Sequence, residues 1–441
     1  MDTIAQVAAA MRDVLTTTAN ALARSTGFVQ RRSKLDGAHF VQAWVFACMA
    51  SPMPSWEDVS QSAATVGVPI TAQGLEDRCD TSAAILLEEV LARSITQVIA
   101  SEPVAIPLLQ RFTHVFIEDS STIGLPPVLA EHWRGCGGST DAGNAALKLQ
   151  VRLDVCRGSL SGPVLQDGRA ADQRSPLQDE PIIAGSLYLA DLGYWSLARF
   201  ARIAADDGYW LSRYLPQTVL FTADGQRWDD ARRLLDAQGS DQVDLPVTVG
   251  VQDRLPARLL ALRVPPAVAE LRRQRLYAEA RAQGKTVSGD LLRLTALTIF
   301  LTNVPPDQLS LREALVLGRA RWQIELLFKL WKSHGHVDES RGTQPWRVLC
   351  EVYAKLIAVL ISHWVMLTEL WNYPDRSLVK AAQLIQKHAF HLASSLWSQL
   401  ALEDALNVIR DGLRACCRMN TRKKHPNTYQ LLINPELWCL A

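Results

Sequence analysis

Apolar residues recur at spacings of three and four through 4–22, 39–49 and 83–99, the period of helices that bury one stripe, so the first 105 residues are expected to be helical. Pro52, Pro54 and Pro69 punctuate them. Within this region 56–64 and 71–79, separated by a break at 67–69, have the form of two short helices joined by a turn. Helix-turn-helix DNA readers and ordinary packed helices share that form. From Phe112 the period changes. Phe112, Val115, Phe116 and Ile117 make a short strand-like run expected to stop at Glu118 and Asp119, with Ser120, Ser121 and Thr122 suited to a turn. Through 146–155, Leu147, Leu149, Val151, Leu153 and Val155 alternate strictly with Lys148, Gln150, Arg152 and Asp154, a strand with one apolar and one polar face. A turn at 157–159 leads into a third strand over 160–165, and the three are expected to form an antiparallel meander. A further strand over 186–190 ends at Asp191. A turn, a helix over 196–205 and a strand over 209–214 follow.

Between about 217 and 300 the texture differs. Strand-like segments at 243–251, 257–264 and 292–303 are interrupted by a charged helix over 267–281, which reads as an insertion. A helix is expected over 311–333 and a strongly apolar one over 346–370, followed by a helical tail whose end carries Arg414, Arg418, Arg422, Lys423 and Lys424. Glu351, Lys355 and His363 interrupt the apolar run 348–367. Charges at that spacing make a bilayer centre costly, so the run reads as a buried core helix and no membrane-spanning segment is expected.

Composition changes this picture little. The 441 residues are 48% hydrophobic and 21% charged, an ordinary globular balance with room for two or three cores. With 46 basic against 45 acidic residues the net charge is +1, so a nucleic-acid role must rest on local clusters. Such clusters are Arg24, Arg31, Arg32 and Lys34, then Arg272, Arg273, Arg275 and Arg281, then Arg422, Lys423 and Lys424. Each is equally readable as a solvated face. The eight cysteines form no C-x-x-C pair and the nine histidines no zinc pattern, which fits a reducing compartment without structural zinc. Neither export nor import is indicated at the first residues. The loop 135–140 lacks the Gly-Lys-Ser/Thr ending of a phosphate loop.

Chemistry is concentrated in 321–332. On one unbroken helix, Arg321, Glu325 and Lys332 fall within roughly 40° of one another, so a carboxylate and two cations share a stripe. Ile324, Leu327, Phe328 and Trp331 occupy much of the remaining surface, so Glu325 is expected to face something other than bulk water. Solvated i,i+4 ion pairs of Glu325 with Arg321 and Lys329 are the plainer alternative. Asp119 and Asp191, each expected at a strand end, join Glu325 as acids distinguished by position. Taken singly, Asp119 also suits a turn and Asp191 a helix cap. Carboxylates converge when a cation lies between them, and hard divalent ions with oxygen ligands serve phosphodiester chemistry in this way.

Three segments carry a resemblance: 116–121 (Phe-Ile-Glu-Asp-Ser-Ser), 189–194 (Leu-Ala-Asp-Leu-Gly-Tyr), and Arg321-Trp322-Gln323-Ile324-Glu325 with Lys332. Over roughly 110–335 the chain resembles bacterial DDE transposases of the insertion sequence 4 family, the Tn-five-like enzymes. Arg321, Glu325 and Lys332 match the last three positions of that family's Tyr, Arg, Glu, Lys signature, whereas Gly318 stands where the Tyr is expected. The resemblance implies an α/β fold with a ribonuclease-H-like catalytic core. Its expected parts are a helical DNA-binding region over 1–105, the first part of the core over 106–216, a β-rich insertion over 217–303, the rest of the core with the Glu helix over 304–370, and a helical region over 371–441. It implies Asp119, Asp191 and Glu325 as catalytic residues and ligands of two Mg2+ ions, for which Mn2+ can substitute. Arg321 and Lys332 are implied as phosphate contacts, and Trp322 as the stacking partner of an extruded base. The implied activity is cleavage of element ends and joining of the 3′ hydroxyl to target DNA. The implied partners are terminal inverted repeats, target DNA and a second copy in a synaptic complex, in a bacterial cytoplasm at the nucleoid. A catalytically silent DNA-binding regulator and a stand-alone metal-dependent nuclease are the alternatives.

Overall fold

A computed structural model describes residues 2–31, 33–136, 144–282, 284–373, 375–419 and 426–437. Most of the loop 135–140, and Arg422, Lys423 and Lys424 of the tail, lie outside the described residues. In chain order the elements are α1 (Thr3–Arg12), α2 (Ala19–Ser25), α3 (Gly37–Ala50), α4 (Trp56–Thr65), α5 (Ala72–Glu76) and α6 (Thr81–Ser94), then β1 (Val115–Leu125), β2 (Ala145–Asp154), β3 (Leu160–Asp167), β4 (Leu187–Ala190), α7 (Leu197–Ala205), β5 (Tyr209–Arg213), β6 (Leu220–Thr222) and β7 (Arg227–Trp228). They continue with α8 (Ala231–Gln238), β8 (Gln242–Val249), β9 (Leu255–Arg263), α9 (Pro266–Ala282), α10 (Gly289–Leu294), β10 (Leu297–Thr302), α11 (Leu311–Ala320), α12 (Trp322–Ser333), α13 (Pro345–Leu367), α14 (Leu378–Lys387), α15 (Ala389–Ser395), α16 (Gln399–Cys416) and α17 (Thr428–Ile433).

Three local expectations are corrected. Strand β1 does not stop at Asp119 but runs on to Leu125. Past the Ser-Ser-Thr triplet, Ile123 and Leu125 are buried while Thr122 and Gly124 are exposed, and this alternation holds the strand against the turn preference of the serines. The helix expected over 311–333 is two helices, with Arg321 at the joint between α11 and α12. Residues 292–294 end a short helix, α10, which Ser288 caps by accepting from the Leu291 N–H, so the strand there begins only at Leu297.

The chain forms two compact units. The first comprises Met1–Val104, Asp119–Leu177 and Ile324–Asn420. It holds the outer stretch of β1 with β2 and β3 in the order β3-β2-β1, with β2 and β3 antiparallel. Its helical part centres on α13, which packs against α3 and α6. Residues 56–64 do form a helix, α4, which a capping box of Ser55 and Asp58 starts, and α5 follows after a six-residue connection. Helix α13 is long and apolar enough to cross a membrane by length and composition, yet 89% of its most apolar window is buried inside the unit. Buried with it are Glu351, Lys355 and His363.

His363 illustrates what such burial does. Its Nε2 lies 2.7 Å from the Gly158 carbonyl and can donate to it in the neutral ring, and its Nδ1 is buried without a hydrogen-bond partner among the described residues. Burial lowers its pKa from the ordinary 6.5 to about 4. Because the folded pKa lies below the unfolded one, this contribution to stability is complete above pH 6.5 and is lost as pH falls toward 4. The loss should reach roughly 3 kcal/mol. Urea unfolding at pH 7.5 and 4.5 should show that loss in the parent and a smaller one in His363→Gln.

The second unit comprises Ala105–Glu118, Gln178–Gln323 and Thr421–Ala441. Here β1 pairs with β4 and β4 with β5, both in parallel, which buries the apolar runs of 115–117 and 187–189 from both faces. Antiparallel β10, β9, β8, β6 and β7 then extend the same sheet from β5. The strands of the segment read as an insertion thus continue the sheet of this unit. Its core gathers Trp195, Phe200, Trp210, Leu259 and Leu301, with the Phe200 and Trp210 rings stacked at 4.4 Å.

Candidate active site

Asp119 and Glu325 lie in the first unit, both half-buried. Asp119 is in the middle of β1, and its Oδ1 accepts the Ser120 N–H at 2.8 Å. Glu325 is in the first turn of α12, where the helix dipole favours a carboxylate. The Ile324, Leu327, Phe328 and Trp331 side chains around it are buried as their spacing requires. Lys332, in the last turn of the same helix, donates to the Thr122 carbonyl at 3.1 Å, which ties α12 to β1.

Asp191, Arg321 and Trp322 lie in the second unit. Asp191 follows the last residue of β4 and is half-buried. It caps no helix with its side chain, which leaves its carboxylate for another cation, and the Arg321 Nε stands 3.6 Å from its Oδ1. An arginine expected to meet phosphate thus neutralises an acid expected to meet a cation. Trp322 is 54% exposed, which removes core packing as the reason for its size. With Gly318, Arg319, Arg321 and Thr428 it lines a groove that brings an aromatic face and two guanidinium groups together. Gly318 also has a physical reason to depart from the Tyr of the signature, since any Cβ there would collide with the ring of Phe300 on β10.

Spacing alone did not reveal the role of Glu118. Its carboxylate is buried, and the Arg199 guanidinium on α7 reaches it at 3.1 Å while Gln178 donates to its other oxygen. Arg199 and Arg202 both donate to the Gln178 carbonyl. The pair fixes β1, one residue before Asp119, to the helix that starts six residues after Asp191. The only signal in the sequence was an acid inside an apolar run, since its partner lies 81 residues away.

The three acids offer hard oxygen donors of the kind that Mg2+ prefers, and Asp191 already takes a positive charge, so the donor chemistry fits a divalent cation. Among the described residues no three His, Cys, Asp or Glu side chains form a ready-made metal cage. Mg2+ is usually held by one or two carboxylates together with substrate phosphates, so its ligand set need not be complete in protein alone.

Residues 110–361, more than half of the chain, match the family described as the transposase DDE domain. The transposase of insertion sequence element IS231F from Bacillus thuringiensis subsp. israelensis is 24% identical over 431 residues, covering 92% of this chain and 89% of that protein. The putative transposase InsL of IS186A from Escherichia coli (strain K12) is 27% identical over 243 residues, covering 53% of this chain and 65% of that one. Among solved structures, the piggyBac transposase synaptic complex with hairpin DNA aligns with a TM-score of 0.46 at 8% identity, covering 95% of this chain and 84% of that one. The chain belongs to the DDE transposases of bacterial insertion sequences, enzymes that cut and join DNA. Assignment to the insertion sequence 4 family is consistent with the IS231 relatives.

Proposed function

We propose that this transposase frees a 3′ hydroxyl at each end of its element and joins it to target DNA, with Asp119, Asp191 and Glu325 as the acids that hold two divalent ions. The observation that carries this reading is the family match over 110–361, a span that contains all three acids and the Arg321, Glu325, Lys332 signature. Mg2+, or Mn2+ in its place, would supply Lewis-acid stabilisation of the charge that builds on the attacking and leaving oxygens.

The protein's own part is placement. Asp119 on β1, Asp191 after β4 and Glu325 on α12 present the carboxylates. Arg321 moves from Asp191 to a DNA phosphate, trading one charge-assisted contact for another. Lys332 takes a second phosphate, and Trp322, exposed beside Arg319 and Arg321, stacks on an extruded base. The parallel β1-β4-β5 arrangement and the antiparallel β2-β3 pair support a ribonuclease-H-like core over 106–216 and 304–370, with 217–303 inserted. On this reading 1–105 and 371–441 contribute DNA binding and pairing of two copies in a synaptic complex, since each element has two ends.

The test incubates purified protein with Mg2+ and the inverted repeats that flank its own gene. Cleavage at the repeat ends and covalent joining to a target plasmid are expected, both lost with EDTA. Cleavage without joining would identify a nuclease, and repeat binding without cleavage a silent regulator.

A further inference from the structure

Strand β2 has a polar face of Lys148, Gln150, Arg152 and Asp154, as its alternation requires, but that face is not solvated: Gln150, Arg152 and Asp154 are buried and Lys148 is only 12% exposed. The segment 168–177, which follows β3, is pinned to this face. Lys148 donates to the Ala170 carbonyl, and Arg152 donates to the Leu177 carbonyl. At the near end of this strap stands Asp172. Its Oδ1 accepts from Lys148 Nζ at 3.0 Å and from Ser120 Oγ at 2.8 Å. Ser120 is also the residue whose N–H holds Asp119 Oδ1.

From these contacts we infer that Lys148 and Asp172 are positioning residues for Asp119, acting through Ser120; the inference rests on Asp119 holding a divalent ion. Successive side chains of a strand point to opposite faces, so Ser120 turns away from Asp119 and braces β1 from behind. The brace sets the peptide plane between the two residues. That plane aims the N–H at Oδ1 and fixes the orientation of the carboxylate. A lysine suits the far end, since its ammonium donates to the same carboxylate oxygen that takes the Ser120 hydroxyl and complements its negative charge. Neither Lys148 nor Asp172 touches the reacting atoms.

The test titrates the full-length protein with Mn2+, following free ion by electron paramagnetic resonance, and measures repeat-end cleavage against Mn2+ concentration. Lys148→Met should weaken Mn2+ binding by roughly 10- to 100-fold, the usual effect of removing a group that orients a ligand, and shift the cleavage curve to higher Mn2+. Lys148→Arg, which retains a cationic donor, should recover most of the loss. A purely structural lysine would lower the melting temperature without that shift. Should Lys148→Met fail to fold, Ser120→Ala keeps the N–H but removes the brace, and should move affinity in the same direction. Unchanged Mn2+ affinity in the folded variant overturns the inference. Asp119→Ala run alongside separates the two ideas: if it also leaves affinity unchanged, Asp119 is no ligand and both readings fall.

Discussion

Glu325→Gln should abolish end cleavage and strand joining together, by roughly 10³-fold or more, while the protein stays folded and still shifts repeat DNA in a gel. The magnitude follows from the several kcal/mol that a correctly held divalent ion contributes to phosphoryl transfer, each 1.36 kcal/mol being worth a factor of about ten. The fold is spared because Glu325 is half-buried and the packing of α12 comes from Ile324, Leu327, Phe328, Leu330 and Trp331. Glutamine keeps the size and loses only the charge. Glu325→Asp keeps the charge but draws it back by about one methylene, and misplacement of ~1 Å costs on the order of 10²-fold. A graded series, parent above Asp above Gln, in single-turnover cleavage would mark a ligand. If Gln cuts at the parental rate, Glu325 is an ordinary helix acid and the proposed site is wrong.

Legibility divided along a physical line. What depends on local period could be read: the alternation of β2, the strand that ends just before Asp191, the buried stripe of α12 and the core character of α13 all follow from spacing. What depends on distant partners could not. The Ser-Ser-Thr after Asp119 has turn chemistry, and only the burial of Ile123 and Leu125 keeps the strand going. The cover over the polar face of β2 could not be read, because the segment that forms it is irregular and leaves no periodic trace. Nothing local in the β-rich stretch announces that β10 pairs with β5. Among the candidate site residues, types and spacings were visible in the chain, but their present partners were not. Arg321 meets Asp191, 130 residues away, and Lys332 meets the backbone of β1 at Thr122, 210 residues away. The missing Tyr at 318 likewise needed Phe300 to explain it.

Lys355→Met should cost about 3–5 kcal/mol of stability, because it strands a charge that the fold has fully buried. Glu351 and Lys355, one turn apart on α13, form an ion pair at 2.9 Å with side-chain exposures of 0% and 1%. Both also hold the segment between α12 and α13. Lys355 donates to the carbonyls of His336 and Glu339, and Glu351 accepts from the Ser340 hydroxyl and the Arg341 N–H. This segment carries His336 at φ +45, a left-handed conformation that a non-glycine residue keeps only when its surroundings impose it. Removing one charge therefore leaves the other unpaired and releases backbone groups as well. The double variant Glu351→Leu with Lys355→Met removes both charges, so it should be less destabilised than the sum of the single changes by roughly 2 kcal/mol or more, yet still below the parent because the loop hydrogen bonds are gone. Urea midpoints of the four proteins close the cycle, and limited proteolysis should place the new cuts within 335–342. Additive costs, or cuts elsewhere, would mean that the pair stabilises α13 alone and does not hold the segment that follows Lys332.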